Sequence, residues 1–168
     1  MAAKGRTPKG NKGAATRAMV TLNDAGIPFA VHEYIHDPDV TAFGLEAAQA
    51  LQIDPARVFK TLLADVEGEL VVACIPVSSP LSLKALAAAV GAKKATMAEP
   101  KRAEKATGYV VGGISPIGQR RLLPTILDDS AVEHSTVFVS GGRRGLDIEI
   151  KPEHLITATQ ARTAPLRG

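Results

Sequence analysis

Two runs of strand-forming residues, 58–65 and 69–76, flank a Glu67-Gly68 pair, and no other stretch limits the fold as tightly. So short a turn can only bring the second run back beside the first in the antiparallel sense. An antiparallel hairpin carrying Lys60 is therefore predicted. Residues 29–35 alternate as a strand does, with Phe29, Val31, Glu33 and Ile35 on one side and Ala30, His32, Tyr34 and His36 on the other. Short strands are expected at 125–127, 136–140 and 146–150, with Gly141-Gly142 breaking the chain between the last two, and at 109–116, where the strand runs into Gly112-Gly113. Helices are expected at 14–25, 45–51 and 83–90, with a helical turn at 101–107. Strands and helices in this mixed order predict an α+β (mixed α/β) domain, a curved and largely antiparallel mixed sheet with surrounding helices, rather than a doubly wound sheet.

With 168 residues, 45% of them hydrophobic, the chain can bury one core, and a single domain over 14–158 is expected. Residues 1–13 are rich in Gly, Lys and Pro and read as a disordered basic arm, and 159–168 read as a flexible C-terminal tail. Of the net charge of +3, the first seventeen residues contribute +5, so the remainder is −2. Clusters still recur within it: Lys93-Lys94, Lys101-Arg102 with Lys105, Arg120-Arg121 and Arg143-Arg144. Gathered on one face they could follow a phosphate backbone; scattered, they are ordinary solvated surface. No apolar run reaches the roughly 20 residues that span a bilayer, so no membrane association is expected and the cytoplasm is the expected compartment. The lone Cys74, within an apolar run, excludes an internal disulfide and reads as a core residue.

Several short motifs occur together: Phe59-Lys60-Thr61-Leu62-Leu63, Gly112-Gly113-Ile114-Ser115-Pro116, and 139–147 with Ser140-Gly141-Gly142-Arg143-Arg144-Gly145 and Asp147. With His36-Asp37-Pro38, Phe43-Gly44 and Ala92-Lys93-Lys94, they resemble the YbaK family of bacterial trans-editing aminoacyl-tRNA deacylases, in the same order, from about residue 18 to 155. The resemblance implies a domain whose cleft takes the aminoacylated 3′ end of tRNA and cleaves the ester between amino acid and ribose. It implies that Lys60 is the central functional residue, that Tyr34, Phe43, Ser140 and Asp147 flank it as substrate-binding residues, and that Gly112 and Gly113 meet the reacting end. It further implies cysteine as the amino acid usually edited, with alanine next, release as a cyclic thiolactone by the substrate's own thiol, no cofactor or metal, and a monomer that meets prolyl-tRNA synthetase transiently.

The residues support parts of this by themselves. Lys60 is an ammonium in an otherwise apolar strand, which asks for a partner or a purpose; on an edge strand it could instead reach water. It could anchor a phosphate or ribose or stabilise an oxyanion, and Asp147 could pair with it or hold the ribose hydroxyls. Gly112 and Gly113 allow close backbone approach and could aim amides at an oxyanion, or simply form a tight turn. Ser140 lacks the G-x-S-x-G setting of a serine hydrolase. His32 and His36 lie over about 13 Å apart on a strand, too far to share a metal. A tRNA- or synthetase-binding module without catalysis is the competing expectation, and a phosphate-binding regulatory domain using Gly112 and Gly113 is disfavoured because no G-x-x-x-x-G-K-[ST] run supports nucleotide binding.

Overall fold

The computed structural model describes residues 15–168, so the expected basic arm at 1–13 lies outside the described residues. In chain order the elements are α1 (Arg17–Asp24), β1 (Ala30–Glu33), α2 (Phe43–Leu51), β2 (Phe59–Val66), β3 (Glu69–Pro76), α3 (Leu83–Ala89), β4 (Thr96–Met97), α4 (Pro100–Thr107), β5 (Thr125–Asp128), β6 (Val137–Arg143), β7 (Leu146–Ile150), α5 (Pro152–Thr159) and β8 (Arg162–Ala164). The fold is α+β, as expected, but it holds two sheets. One has the order β1-β7-β6, and the other β4-β2-β3-β5-β8.

The hairpin is formed by β2 and β3, antiparallel from Phe59↔Pro76 to Val66↔Glu69. Its two-residue turn places Glu67 at φ 54° and Gly68 at φ +95°, the doubly left-handed conformation that matches the twist of the flanking strands. Asp65 Oδ1 accepts the Gly68 N–H at 2.9 Å. Pairing of β3 with β5 is parallel, which requires a crossover; the connection carries α3, β4 and α4. The main core fills the space between the sheets, where Phe59, Leu63, Val72 and Cys74 meet Val139, Ile148 and Ile150 with α1 residues Met19 and Leu22. On the far face of the larger sheet, Ala73 and Ile75 pack with Leu86 of α3. A third cluster seats α2, through Ala47 and Ala48, on Val58, Val77 and Phe138.

Four expectations are corrected. Residues 109–116 form a loop rather than a strand: the Val111 N–H is taken by Glu104 Oε2 at 2.8 Å and its carbonyl by Arg144, so side chains satisfy the groups a ladder would use. Gly141 and Gly142 do not break the chain but lie within β6, where the register shifts between Ser140 and Arg143 and Gly142 adopts φ +111°. Such a bulge bends the strand without ending it. β1 ends at Glu33, so Ile35 lies outside the strand expected over 29–35 and is 95% exposed.

Lastly, residues 159–168 are not a loose tail. Strand β8 lies parallel to β5, Leu166 is fully buried, and Arg167 Nε bonds the buried Asp128 carboxylate at 3.1 Å. Asp128 also accepts the Leu166 N–H at 2.8 Å, so the last residues cover a charge that would otherwise be stranded. Leu166→Ala should lower unfolding stability by about 2–5 kcal/mol, readable as a reduced denaturant midpoint at unchanged m-value.

Candidate functional site

β2 meets β4 only at Ala64 and Asp65, which leaves its outer edge open towards Phe59. Because the Leu63 carbonyl accepts the Ala98 N–H on that edge at 3.0 Å, the peptide groups of Thr61, two residues along, turn the same way. A cavity of about 430 Å³ opens along this edge, and its walls include Tyr34, Phe43, Lys60, Thr61, Gly112, Ser140 and Asp147. Of the seven residues singled out from sequence, six therefore line one cavity. Gly113 does not line it.

Strands of both sheets, α2, α4 and the loop after it supply the walls. Lys60 and Thr61 come from β2, and Phe43 stands in the first turn of α2, which begins two residues earlier than expected. Ser140 and Asp147 are direct cross-strand partners on β6 and β7, so their side chains share a face. Tyr34 follows β1 and is fixed by the bond from its N–H to the Gly145 carbonyl at 3.0 Å. Gly145 has φ +82°, and a Cβ there would lie 2.7 Å from the Tyr34 carbonyl oxygen. Only glycine fits that turn.

A clamp joins two of the walls. The Arg144 guanidinium lies 5.0 Å from the centre of the Phe43 ring and donates twice to the Val111 carbonyl, at 3.0 and 2.6 Å. It thereby ties α2 to the loop holding Gly112. Gly112, at φ +92°, has no room for a Cβ, which would fall 2.7 Å from Arg144 Nε and 2.9 Å from the Phe43 ring. Glu46 braces the approach to α2 by bonding His36 Nδ1 and the Asp37 N–H, each at 2.7 Å. Arg144 was legible in sequence only as half of a surface charge pair, and the clamp gives it a different place.

Electrostatics single out two groups. Lys60 forms no ion pair among the described residues, and burial holds its pKa below the ordinary lysine value. Asp147 is 5% exposed, and burial pushes its carboxyl up to about 7. The pairing of Lys60 with Asp147 considered from sequence is absent; the two face one cavity with their charges uncompensated by each other. Burial, and after it the nearby Asp147 charge, raises the Tyr34 phenol to about 12, so it is a neutral donor at physiological pH.

The Gly113 N–H is spent on the Val110 carbonyl at 2.8 Å, and a Cβ on Gly113 would meet the Arg143 backbone at 2.7 Å. Gly113 thus closes the turn and packs it, and it cannot donate to an oxyanion. Ser140 Oγ accepts the Gly142 N–H at 3.2 Å, and no hydrogen bond joins it to Lys60 among the described residues. Cys74 is 1% exposed on β3, with its thiol pushed up to about 12 by burial. The two histidines have separate partners, His32 with Glu149 at 2.9 Å and His36 with Glu46.

The family model of the aminoacyl-tRNA editing domain matches residues 37–158. A protein of Enterococcus faecalis, EbsC, described as a candidate Cys-tRNA(Pro)/Cys-tRNA(Cys) deacylase, is 37% identical over 153 residues, covering 90% of this chain and 92% of that protein. Part of a proline–tRNA ligase of Moorella thermoacetica is 33% identical over 73 residues, 44% of this chain and 13% of the ligase. The crystal structure of a candidate trans-editing enzyme for prolyl-tRNA synthetase superposes with a TM-score of 0.82 at 26% identity, covering 95% of this chain and 99% of that one. A matched cavity-bearing domain and a relative alike along nearly its whole length lead to one conclusion: the chain belongs to the aminoacyl-tRNA editing domain family.

Proposed function

We propose that this chain is a trans-editing deacylase that releases cysteine from Cys-tRNA(Pro), using the thiol of the substrate as the nucleophile. The observation that carries this reading is a cavity with a cation, an acid and a tight glycine turn, but with neither histidine nor thiol among the described residues of its walls. A cavity of this size falls in the range that holds small ligands. It can therefore receive the aminoacyl group with part of the terminal nucleoside.

In the proposed step the cysteinyl sulfur attacks its own ester carbonyl. A C–S bond forms, the bond from the carbonyl carbon to the ribose oxygen breaks, and the thiol proton passes to the departing ribose oxygen. The products are a cyclic thiolactone and tRNA. Intramolecular attack reaches effective molarities of about 10⁵ M or more, so orientation replaces a catalytic nucleophile. In this reading Lys60 stabilises the tetrahedral oxyanion, and Tyr34, Phe43, Ser140 and Asp147 hold the aminoacyl and ribose groups; their place on the walls of one cavity supports it. The enzyme works on the tRNA acceptor end in the cytoplasm and meets its substrate through transient contact with prolyl-tRNA synthetase, a reading supported by the partial likeness to a proline–tRNA ligase.

Assaying the purified protein against Cys-, Ala-, Ser- and Pro-tRNA tests the proposal. Rapid loss of cysteine with sparing of the serine ester, which differs by one atom, is the expected outcome; equal turnover of serine and cysteine would rule out the thiol. Cys74→Ala should leave deacylation within about two-fold of the parent, since its sealed thiol cannot reach the cavity. A large loss of rate in that variant at unchanged fold would refute the assignment.

A further inference from the structure

A second concavity, of about 360 Å³, is lined by Leu70, Arg102, Lys105, Ala106, Arg120 and Arg121. Four of those six side chains are cationic and none is acidic, although the chain beyond residue 17 carries net negative charge. Two charge clusters far apart in sequence thus converge at one place. α4 stands between the two sites: Pro100 and Ala103 face the cavity, while Arg102, Lys105 and Ala106 face the cleft. An α-helix with its side chains is about 10–12 Å across, so a polynucleotide whose end enters the cavity has phosphates within reach of the cleft.

The cations are not equivalent. Arg102 is paired with Asp65 and donates to the Gly68 carbonyl at 2.9 Å, so it shapes the wall. Lys105, Arg120 and Arg121 have no ion-pair partner among the described residues. Arg120 is positioned by its own N–H, which bonds the Thr107 carbonyl at 2.8 Å, and by its side chain, which lies against Gly108 at the C-terminal end of α4. Its backbone is thereby fixed, while its exposed guanidinium forms no hydrogen bond among the described residues and is free to meet a phosphate.

We propose that this cleft is a phosphate-backbone site that grips the acceptor stem of the tRNA while its 3′ end lies in the cavity. The inference rests on the deacylase reading for the identity of the RNA, but the binding it describes does not require turnover. Interactions of this kind give affinity without sequence discrimination and confer salt dependence.

The test is an Arg120→Glu, Arg121→Glu double variant of the full chain, checked for an unchanged circular dichroism spectrum and melting temperature, with Arg121→Gln as the milder partner. Dissociation constants for uncharged tRNA are measured by fluorescence anisotropy from low to high salt, beside deacylation of Cys-tRNA and of cysteinyl-adenosine, which has no stem. The double variant should weaken tRNA binding by ten-fold or more and lower the log–log salt slope by about 1 for each phosphate no longer neutralised. Its ratio of kcat/KM on Cys-tRNA to that on cysteinyl-adenosine should fall by a similar factor. Unchanged tRNA affinity, or no tRNA binding by the parent, would overturn the cleft proposal. Retained tRNA binding with lost capture of prolyl-tRNA synthetase would overturn it too, in favour of a protein dock. Should the parent bind tRNA through these arginines yet fail to cleave Cys-tRNA, the deacylase reading fails and the cleft stands.

Discussion

Lys60→Ala is expected to slow single-turnover release of cysteine from Cys-tRNA by about 10² to 10³, the usual loss when one donor to a developing oxyanion is removed. Lys60 lines the cavity from β2 without an ion-pair partner among the described residues, and burial already disfavours its ammonium. An unpaired cation beside apolar walls is costly to keep, which argues that its compensation comes from the substrate. How the loss divides is informative. A lysine acting on the oxyanion lowers kcat and leaves KM nearly unchanged, whereas one acting on a phosphate or ribose raises KM. Full activity in the variant would remove Lys60 from the mechanism.

Asp147→Asn should separate stability from activity. The fold raises this carboxyl from its ordinary 3.8 to about 7, so the native state prefers the protonated form. The sign of the linkage follows: the stabilisation is fully present below about pH 3.8, declines as pH rises, and is lost above about pH 7. At pH 8 the parent therefore carries a buried carboxylate that asparagine would not. The variant should be more stable there by a few kcal/mol, about 1–3 once local relaxation is allowed for, and no more stable than the parent at pH 4. Thermal unfolding across this range checks it. Turnover should move the other way: under the proposed mechanism an ionised Asp147 accepts from the ribose hydroxyls, so the parent rate should rise through about pH 7, and that limb should vanish in the variant. A second limb near 8.5, the ordinary thiol value, belongs to the substrate and should persist. Destabilisation of Asp147→Asn at pH 8 would show that the carboxylate is compensated in the native protein.

Local pattern carried much of this molecule. The β2–β3 hairpin could be read because two strands and the turn joining them are adjacent in sequence, whereas Ser140 and Asp147 were named through the family resemblance and only the β6–β7 pairing shows them side by side. The loop at 109–116 could not be read. Tyr109, Val110 and Val111 have strand propensity, but the partners of Val111 are side chains of Glu104 and Arg144, one of them 33 residues away. β8 was missed for a similar reason: three residues with little apolar character acquire their strand conformation only by lying along β5. Gly113 shows the limit for the site. Sequence marks a glycine pair, but which amide remains available depends on the Val110 carbonyl that closes the turn.

The crossover between β3 and β5 has an evolutionary consequence. One wall of the cavity, with Lys60, Ser140 and Asp147, stands on sheet strands whose alternate side chains form the core, so substitution there disturbs folding. The opposite wall, with Met97, Pro100, Ala103 and Gly112, is carried on the single connection between β3 and β5, which touches the sheet on its way only through the short β4. Insertions or substitutions in that connection can widen or narrow the cavity while Lys60, Ser140 and Asp147 keep their positions. Divergence of editing preference among related chains is thus expected to concentrate between residues 97 and 114, and grafting that segment from a relative of different preference is the direct route to changing which mischarged tRNA is cleared.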